Sequence, residues 1–319
     1  AKLTQAIKII TEELLDAKEN GSILTVTEQD WDALYARFGE IREDINISRE
    51  ATLNELLPLV QVAQALAQKY DVVVTNPPYR GIGDVTAKLQ DFVKKHYADS
   101  SSDLSTVFMD KCILMTKQNG YYAMINIPVW MSLASYSKLR EKVINEQLIV
   151  NMLHLGRGMF GSDYGTTAFV VANRKLENFT GLYKKFFQRQ GSVETEDDKC
   201  KKFFGGTRDY FTKESLYKLL PNYIIAYWAT SSFAEAFSSG KNINNYATVF
   251  EGLKTRDKDR FLRFWFEIDS PKWRPYAKGG AFRRWYGNHD YVVKWGTNGD
   301  EVRAFKKSSG ANFQHYFEP

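Results

Sequence analysis

The chain has 319 residues, enough for two domains, with 44% hydrophobic and 14% aromatic side chains and a net charge of +5. It contains no apolar run of about 18 residues, and its start, Ala1-Lys2-Leu3-Thr4-Gln5, reads neither as a signal peptide nor as a natural beginning; a soluble, cytoplasmic piece of a longer protein with no membrane partner is expected. Two distant cysteines, Cys112 and Cys200, and four histidines without ligand spacing argue against a disulfide framework and a metal site.

Residues 1–19 carry Leu3, Ile7, Ile10, Leu14 and Leu15 at helical spacing, which predicts a helix ended by Asn20-Gly21. After the apolar run 23–26, Thr27 is the expected cap of a second helix with Glu28 and Asp30 in its first turn. A third helix is expected over 48–68, with Leu53, Leu56, Leu57, Val60, Val62 and Leu66 on its apolar face and a kink at Pro58. None of these elements carries chemistry.

Next, Asp71-Val72-Val73-Val74-Thr75 predicts a strand that must stop at Asn76-Pro77-Pro78-Tyr79, because successive prolines cannot donate to a sheet ladder. Each proline fixes its own φ and biases the residue before it towards extended geometry. The Asn76 amide and the Pro77 carbonyl are therefore aimed from a strand's carboxyl end, where open α/β sheets bind ligands. Two adjacent acceptors suit a planar exocyclic amine, and Tyr79 offers a flat face for a ring. A proline-capped strand end with Tyr79 as filler is the structural alternative. At ordinary proline usage the tetrapeptide arises by chance in roughly one chain of this length in a thousand, which favours function.

Arg80-Gly81-Ile82-Gly83-Asp84 is expected to be a mobile, substrate-facing loop. Ser102 or Asp103 caps a helix with Leu104, Val107, Phe108, Cys112 and Met115 inside, stopped by Asn119-Gly120. A strand over 121–127 ending at Pro128, a helix over 135–144 and strands over 149–155 and 167–172 follow. The alternation predicts the α/β class, a partial doubly wound, Rossmann-like sheet preceded by helices. Gly156-Arg157-Gly158-Met159-Phe160-Gly161 satisfies the dinucleotide pattern, yet Ser162-Asp163-Tyr164-Gly165 leads into a strand. Without a helix N-terminus to receive a pyrophosphate, it reads as a hairpin connection.

From about residue 181 the pattern changes. The acidic run 194–199 is expected as a surface loop near a domain boundary. Residues 1–80 hold 8 basic and 13 acidic side chains, residues 81–180 hold 11 and 9, and residues 181–319 hold 24 and 16, so a polyanion partner suits the last third. Basic and aromatic residues interleave over 252–261 and 278–288, making Arg256, Arg260, Lys278, Arg283, Arg284 and Trp285 candidate nucleic-acid contacts. Phe264, Trp265 and Phe266 are expected in the core.

Residues 71–79 resemble the catalytic motif of the amino-group methyltransferases that act on adenine N6 in DNA. Residues 69–175 resemble, along their length, the PglX-type adenine methyltransferases of bacteriophage-exclusion systems and the related restriction enzymes that fuse methylation to cleavage. Segments 256–265 and 278–295 resemble the opening of that family's target-recognition region, which carries Gly and Asn where Arg256 and Lys258 stand here. The resemblance implies a catalytic tip of Asn76, Pro77, Pro78 and Tyr79. There a flipped adenine is held by the Asn76 side chain and Pro77 carbonyl and stacked on Tyr79. It also implies S-adenosylmethionine as donor, double-stranded DNA as partner, and other defence-system or restriction subunits. The expected organisation is a helical lead-in over 1–68, a catalytic half-domain over 69–180 and the start of an α+β DNA-recognition domain over 181–319. The family's donor-binding glycine-rich loop does not occur in 1–68, so the chain reads as a central fragment, inactive alone and a weak donor binder. Methylation of a protein glutamine or an RNA base, and a non-catalytic DNA-binding module, are the alternatives. The long basic, aromatic region argues for DNA, and intact Asn76 and Tyr79 argue against a pure binder.

Overall fold

Helices begin where a side chain can take up their first free N–H groups. Asp30 accepts from the Ala33 amide, Asn46 from Arg49, Thr86 from Leu89 and Asp103 from Ser105. The helices they open are Trp31–Glu43, Ile47–Ala67, Ala87–His96 and Leu104–Met115, in a computed structural model that describes residues 2–44, 46–159, 164–189, 191–205, 209–249 and 252–305. Thr27 is not a cap: its amide and hydroxyl both donate to the Glu13 carboxylate, leaving Asp30 to start the helix. The first helix is also shorter than its periodicity suggests, Lys2–Glu13, with a separate turn of helix at Ala17–Asn20 before left-handed Gly21. Pro58 sits inside Ile47–Ala67 without ending it.

Six strands, β1 (Tyr70–Thr75), β2 (Thr116–Asn126), β3 (Leu148–Gly156), β4 (Thr166–Ala172), β5 (Thr180–Lys185) and β6 (Asp209–Lys213), form one sheet in the order β1-β2-β4-β3-β5-β6. β1 is parallel to β2 and β3 to β5, while β4 runs antiparallel between β2 and β3. The sheet is thus mixed, because the β3–β4 connection is a hairpin rather than a crossover. Asn119-Gly120 does not stop a helix. The Leu104–Met115 helix ends earlier, and Asn119-Gly120 form a bulge in β2, with Asn119 left-handed and a Cβ on Gly120 only 2.7 Å from the Asp71 carbonyl.

The apolar core of the sheet lies on one face of it. Tyr122, Met124, Ile149, Met152, Phe169, Val171 and Tyr183 are buried there beneath the Leu104–Met115 and Ser137–Glu146 helices and the segments around Trp130, Tyr217 and Tyr227. Arg140 is fully buried in this layer; it donates to the carbonyls of Trp130, Leu133 and Asn222, and desolvation pulls its pKa down to about 10. The opposite face is open over β1 to β4 among the described residues: Val72 is 60% and Val74 72% exposed, and Ala123, Ile125, Leu153, Ala168 and Val170 are half-buried, while at β5 Lys184 donates to the Phe203 carbonyl of a helix on that side. The N-terminal helices have a separate core built on Ile10, Trp31, Leu34, Phe38, Leu53 and Val60. Buried Lys111 ties that module to the sheet layer by donating to the Leu24 carbonyl at 2.6 Å.

By contact the chain divides at Gly240 and Lys241. This lies well beyond the composition change at residue 181, since β5 and β6 belong to the main sheet. The acidic run there is the first turn of a helix, Glu196–Phe204, capped by Thr195, where carboxylates complement the helix dipole. The second unit holds an antiparallel sheet in the order β7-β9-β8, formed by β7 (Leu262–Phe264), β8 (Trp273–Tyr276) and β9 (Tyr291–Lys294), around Phe261, Leu262, Val293, Trp295 and Val302. Phe264, Trp265 and Phe266 are not core: they are 37%, 61% and 66% exposed, the first and third stacked on each other.

His154 is buried on β3 with Nδ1 3.0 Å from the Tyr227 hydroxyl, and burial, aided by Lys185, drives its pKa down to about 4. It folds as a neutral ring, so the unfolded chain binds the proton more tightly. Stability from this group should be complete above pH 6.5 and fall as the pH drops from 6.5 towards 4, by on the order of 3 kcal/mol. Urea melts of His154→Gln should lose that slope; an unchanged slope would assign it to other groups.

Candidate active site

β1 is an edge strand, paired only with β2, and the register that sets Thr75 against Met124 brings the Asn76-Pro77-Pro78-Tyr79 tip level with the end of β2. Pro77 is buried and Asn76 exposed, so the prolines anchor the turn while the amide faces outwards. The Tyr79 hydroxyl donates to Asn76 Oδ1 at 2.7 Å, and burial raises the phenol above its ordinary pKa. That bond fixes which way the amide faces, with the oxygen towards Tyr79 and one lone pair left over.

The segment after the motif is pinned rather than mobile. The Leu104 amide donates to the Arg80 carbonyl at 2.9 Å and the Ile82 amide to the Ser102 carbonyl at 3.1 Å, making a short antiparallel bridge between Gly81 and Asp103 before the turn Ile82–Asp84. Buried Asp103 holds the other side of this junction, accepting from the Ser105 amide at 2.8 Å and its hydroxyl at 2.6 Å. The Ser105 carbonyl in turn accepts from Asn126 Nδ2 at 3.3 Å, and Thr167 donates to the Asn126 carbonyl. A continuous set of hydrogen bonds thus runs from the tip through a helix N-terminus to the ends of β2 and β4. Asn126 was not a candidate from sequence; its one signal was a polar residue closing an apolar strand just before Ile127-Pro128.

Beside Asn76, a cavity of about 450 Å³ opens on the bare face of the sheet, walled by Val74, Thr75, Ala123, Ile125, Leu153 and Ala168. Its walls are apolar apart from Thr75 and Asn76 on β1 and its end and Asn151 on β3, an arrangement suited to a flat ring or a thioether with polar groups at its edge. The glycine-rich pattern lies away from it as the β3–β4 hairpin, with Gly156 and Gly158 left-handed and a Cβ on Gly156 2.7 Å from the Phe187 ring; Phe160 and Gly161 lie outside the described residues.

The six basic and aromatic candidates all fall in the second unit. Arg283, Arg284 and Trp285 stand exposed on the β8–β9 connection, and Lys278 Nζ lies 3.8 Å from the Tyr291 ring centre. Arg256 is exposed and left-handed, φ 60°, a conformation that glycine adopts freely. Arg260 is engaged internally, paired with Glu301 at 2.8 Å and lying over the Phe261 ring.

Residues 4–160 match the model of the Eco57I restriction-modification methylase. The chain is 35% identical over 322 aligned residues to the adenine-specific methyltransferase BrxX of Escherichia coli O9:H4 (strain HS), covering 95% of this chain and 26% of the relative. It is 35% identical over 290 residues to the adenine-specific methyltransferase PglX of Lacticaseibacillus casei (strain Zhang), covering 82% of this chain and 24% of the relative. It therefore spans about a quarter of the length of these curated relatives. Among solved structures, a modification subunit of a putative type I restriction enzyme from Vibrio vulnificus YJ016 aligns with 56% of this chain and 48% of its own at 13% identity and a TM-score of 0.36.

Asp103→Ala should cost about 1–2 kcal/mol of stability through the lost cap. It should also speed hydrogen exchange at the Ile82 and Leu104 amides. Exchange unchanged there would show that the post-motif segment is held by other contacts.

Proposed function

Because residues 4–160 of this chain belong to the Eco57I restriction-modification methylase family, we propose that the protein transfers a methyl group from S-adenosylmethionine to N6 of an adenine flipped out of double-stranded DNA. It does so in the cytoplasm, in restriction-modification or phage defence, alongside other subunits of such a system. The observation that carries this reading is the pair of acceptors at the end of β1: Asn76 Oδ1, oriented by the Tyr79 hydroxyl, and the neighbouring Pro77 carbonyl on a buried proline.

Adenine N6 is a weak nucleophile because its lone pair is delocalised into the ring. Asn76 Oδ1 and the Pro77 carbonyl each accept one N–H of the amine, draw the nitrogen towards a tetrahedral geometry and take up the positive charge that develops on it. Pro78 keeps the second acceptor from rotating away, and Tyr79 stacks on the base. When bound, S-adenosylmethionine supplies the electrophilic methyl. The described residues do not make a complete site for it. They offer a largely apolar wall beside Asn76, while Gly156 and Gly158 lie at the end of β3 and just after it, away from that wall. The surface cations of the second unit, Arg256, Lys278, Arg283 and Arg284, serve as phosphate contacts, and Arg260, itself exposed, joins them from its ion pair with Glu301.

In the full-length protein, Asn76→Ala should abolish methyl transfer, read by incorporation of labelled methyl into DNA, while thermal stability stays nearly constant because the side chain is exposed. Partial activity with a large loss of stability would sink the clamp. Replacing Arg283 and Arg284 together by Ala should weaken binding to all duplex sequences and reduce the salt slope by about 2. A slope that does not move would take both arginines off the interface.

A further inference from the structure

Between β8 and β9 the chain forms a tip, residues 282–286, on which Phe282, Trp285 and Tyr286 are 89%, 87% and 82% exposed. Three large rings in water are unfavourable, and none is drawn back onto the second unit's own core. The tip is nonetheless built. Asn288 Nδ2 donates to the Ala281 carbonyl at 3.1 Å, closing the loop at its base. Gly280 lets that closure happen, since a Cβ there would stand 2.6 Å from Asn288 Oδ1. Gly287, at φ 148°, lies against the stem of Arg283, and a Cβ would meet its Cγ at 2.7 Å. The Tyr286 ring stacks on His289 at 4.5 Å, and the Arg284 guanidinium lies 5.3 Å from the Trp285 ring centre.

The charge around the rings decides what they meet. Residues 271–289 contain Lys272, Arg274, Lys278, Arg283 and Arg284 and no carboxylate. An apolar groove on a protein would leave these cations unpaired, whereas a nucleic-acid duplex offers phosphates for them and base faces for the rings. We propose that this tip is a wedge: Trp285 and Phe282 insert between base steps of the bound duplex and unstack them, while Arg283 and Arg284 hold the flanking phosphates. The inference rests on the DNA reading above and adds to it a contact that deforms the duplex. Unstacking opposes binding, so the wedge favours sites where a step is already weak.

The test titrates a fully paired duplex, and the same duplex with one central mismatch, into the chain and into Trp285→Ala and Trp285→Phe at several salt concentrations. The wild type should bind the mismatched duplex several-fold more tightly. Trp285→Ala should lose roughly 5- to 150-fold in affinity for the paired duplex. It should also lose the mismatch preference and keep the wild-type salt slope, with Trp285→Phe close to wild type. Because Trp285 is exposed, its removal leaves the fold intact. If Trp285→Ala binds both duplexes as the wild type does, or if its salt slope falls in step with its affinity, the wedge is wrong and DNA binding stands. Failure of the wild type to bind either duplex would overturn the wedge and the DNA reading together.

Discussion

An amine can be clamped by two oxygens only if the backbone that carries them cannot turn aside. In the site proposed here that constraint falls at the end of an edge strand, the least supported place in a sheet. Two prolines remove the torsional freedom, buried Pro77 seats the turn, and the Tyr79 hydroxyl settles which end of the Asn76 amide is presented. The N-terminus of the Leu104–Met115 helix does the rest. Its first amide holds the Arg80 carbonyl, and its capping aspartate leads by way of Ser105 to Asn126 on the neighbouring strand. The proposed clamp is supported from three elements that are themselves tied together by hydrogen bonds.

Behind the proposed clamp, over β1 to β4, the sheet is covered on one side among the described residues. Helices bury the face with Tyr122, Met124, Phe169 and Tyr183, and the face with Val72 and Val74 stays bare among the described residues. The cavity next to Asn76 opens on that bare face, so its far wall is supplied by whatever approaches from there.

Much of this was legible from residues alone, for identifiable reasons. β1 and its tip announce themselves because β-branched residues and prolines act locally, and the helix capped by Asp103 does so through its carboxylate. What periodicity could not reveal depended on distant partners. Thr27 reads as a cap until Glu13, fourteen residues earlier, claims its amide and hydroxyl. Asn119-Gly120 reads as a helix stop, yet the bulge it makes exists only because Asp71 runs alongside. The exposed rings of Phe264, Trp265 and Phe266 look like core because hydrophobicity does not say which side of a small sheet is covered. The Arg80–Asp84 segment looks mobile from its glycines, although Arg80 and Ile82 are held by Leu104 and Ser102 at the start of a helix that follows in sequence.

The way β1 joins the sheet also bears on the order in which the molecule assembles. β3 and β4 are joined by a short hairpin and pair early at little entropic cost. β1 meets its single neighbour across two intervening helices, in parallel register. Closing so long a loop comes late. β1 therefore pairs after the β3–β4 pair has formed, and the proline pair has a second value: it holds the Asn76–Tyr79 turn in shape before the strand has docked, so that pairing of β1 sets the turn in place without a search.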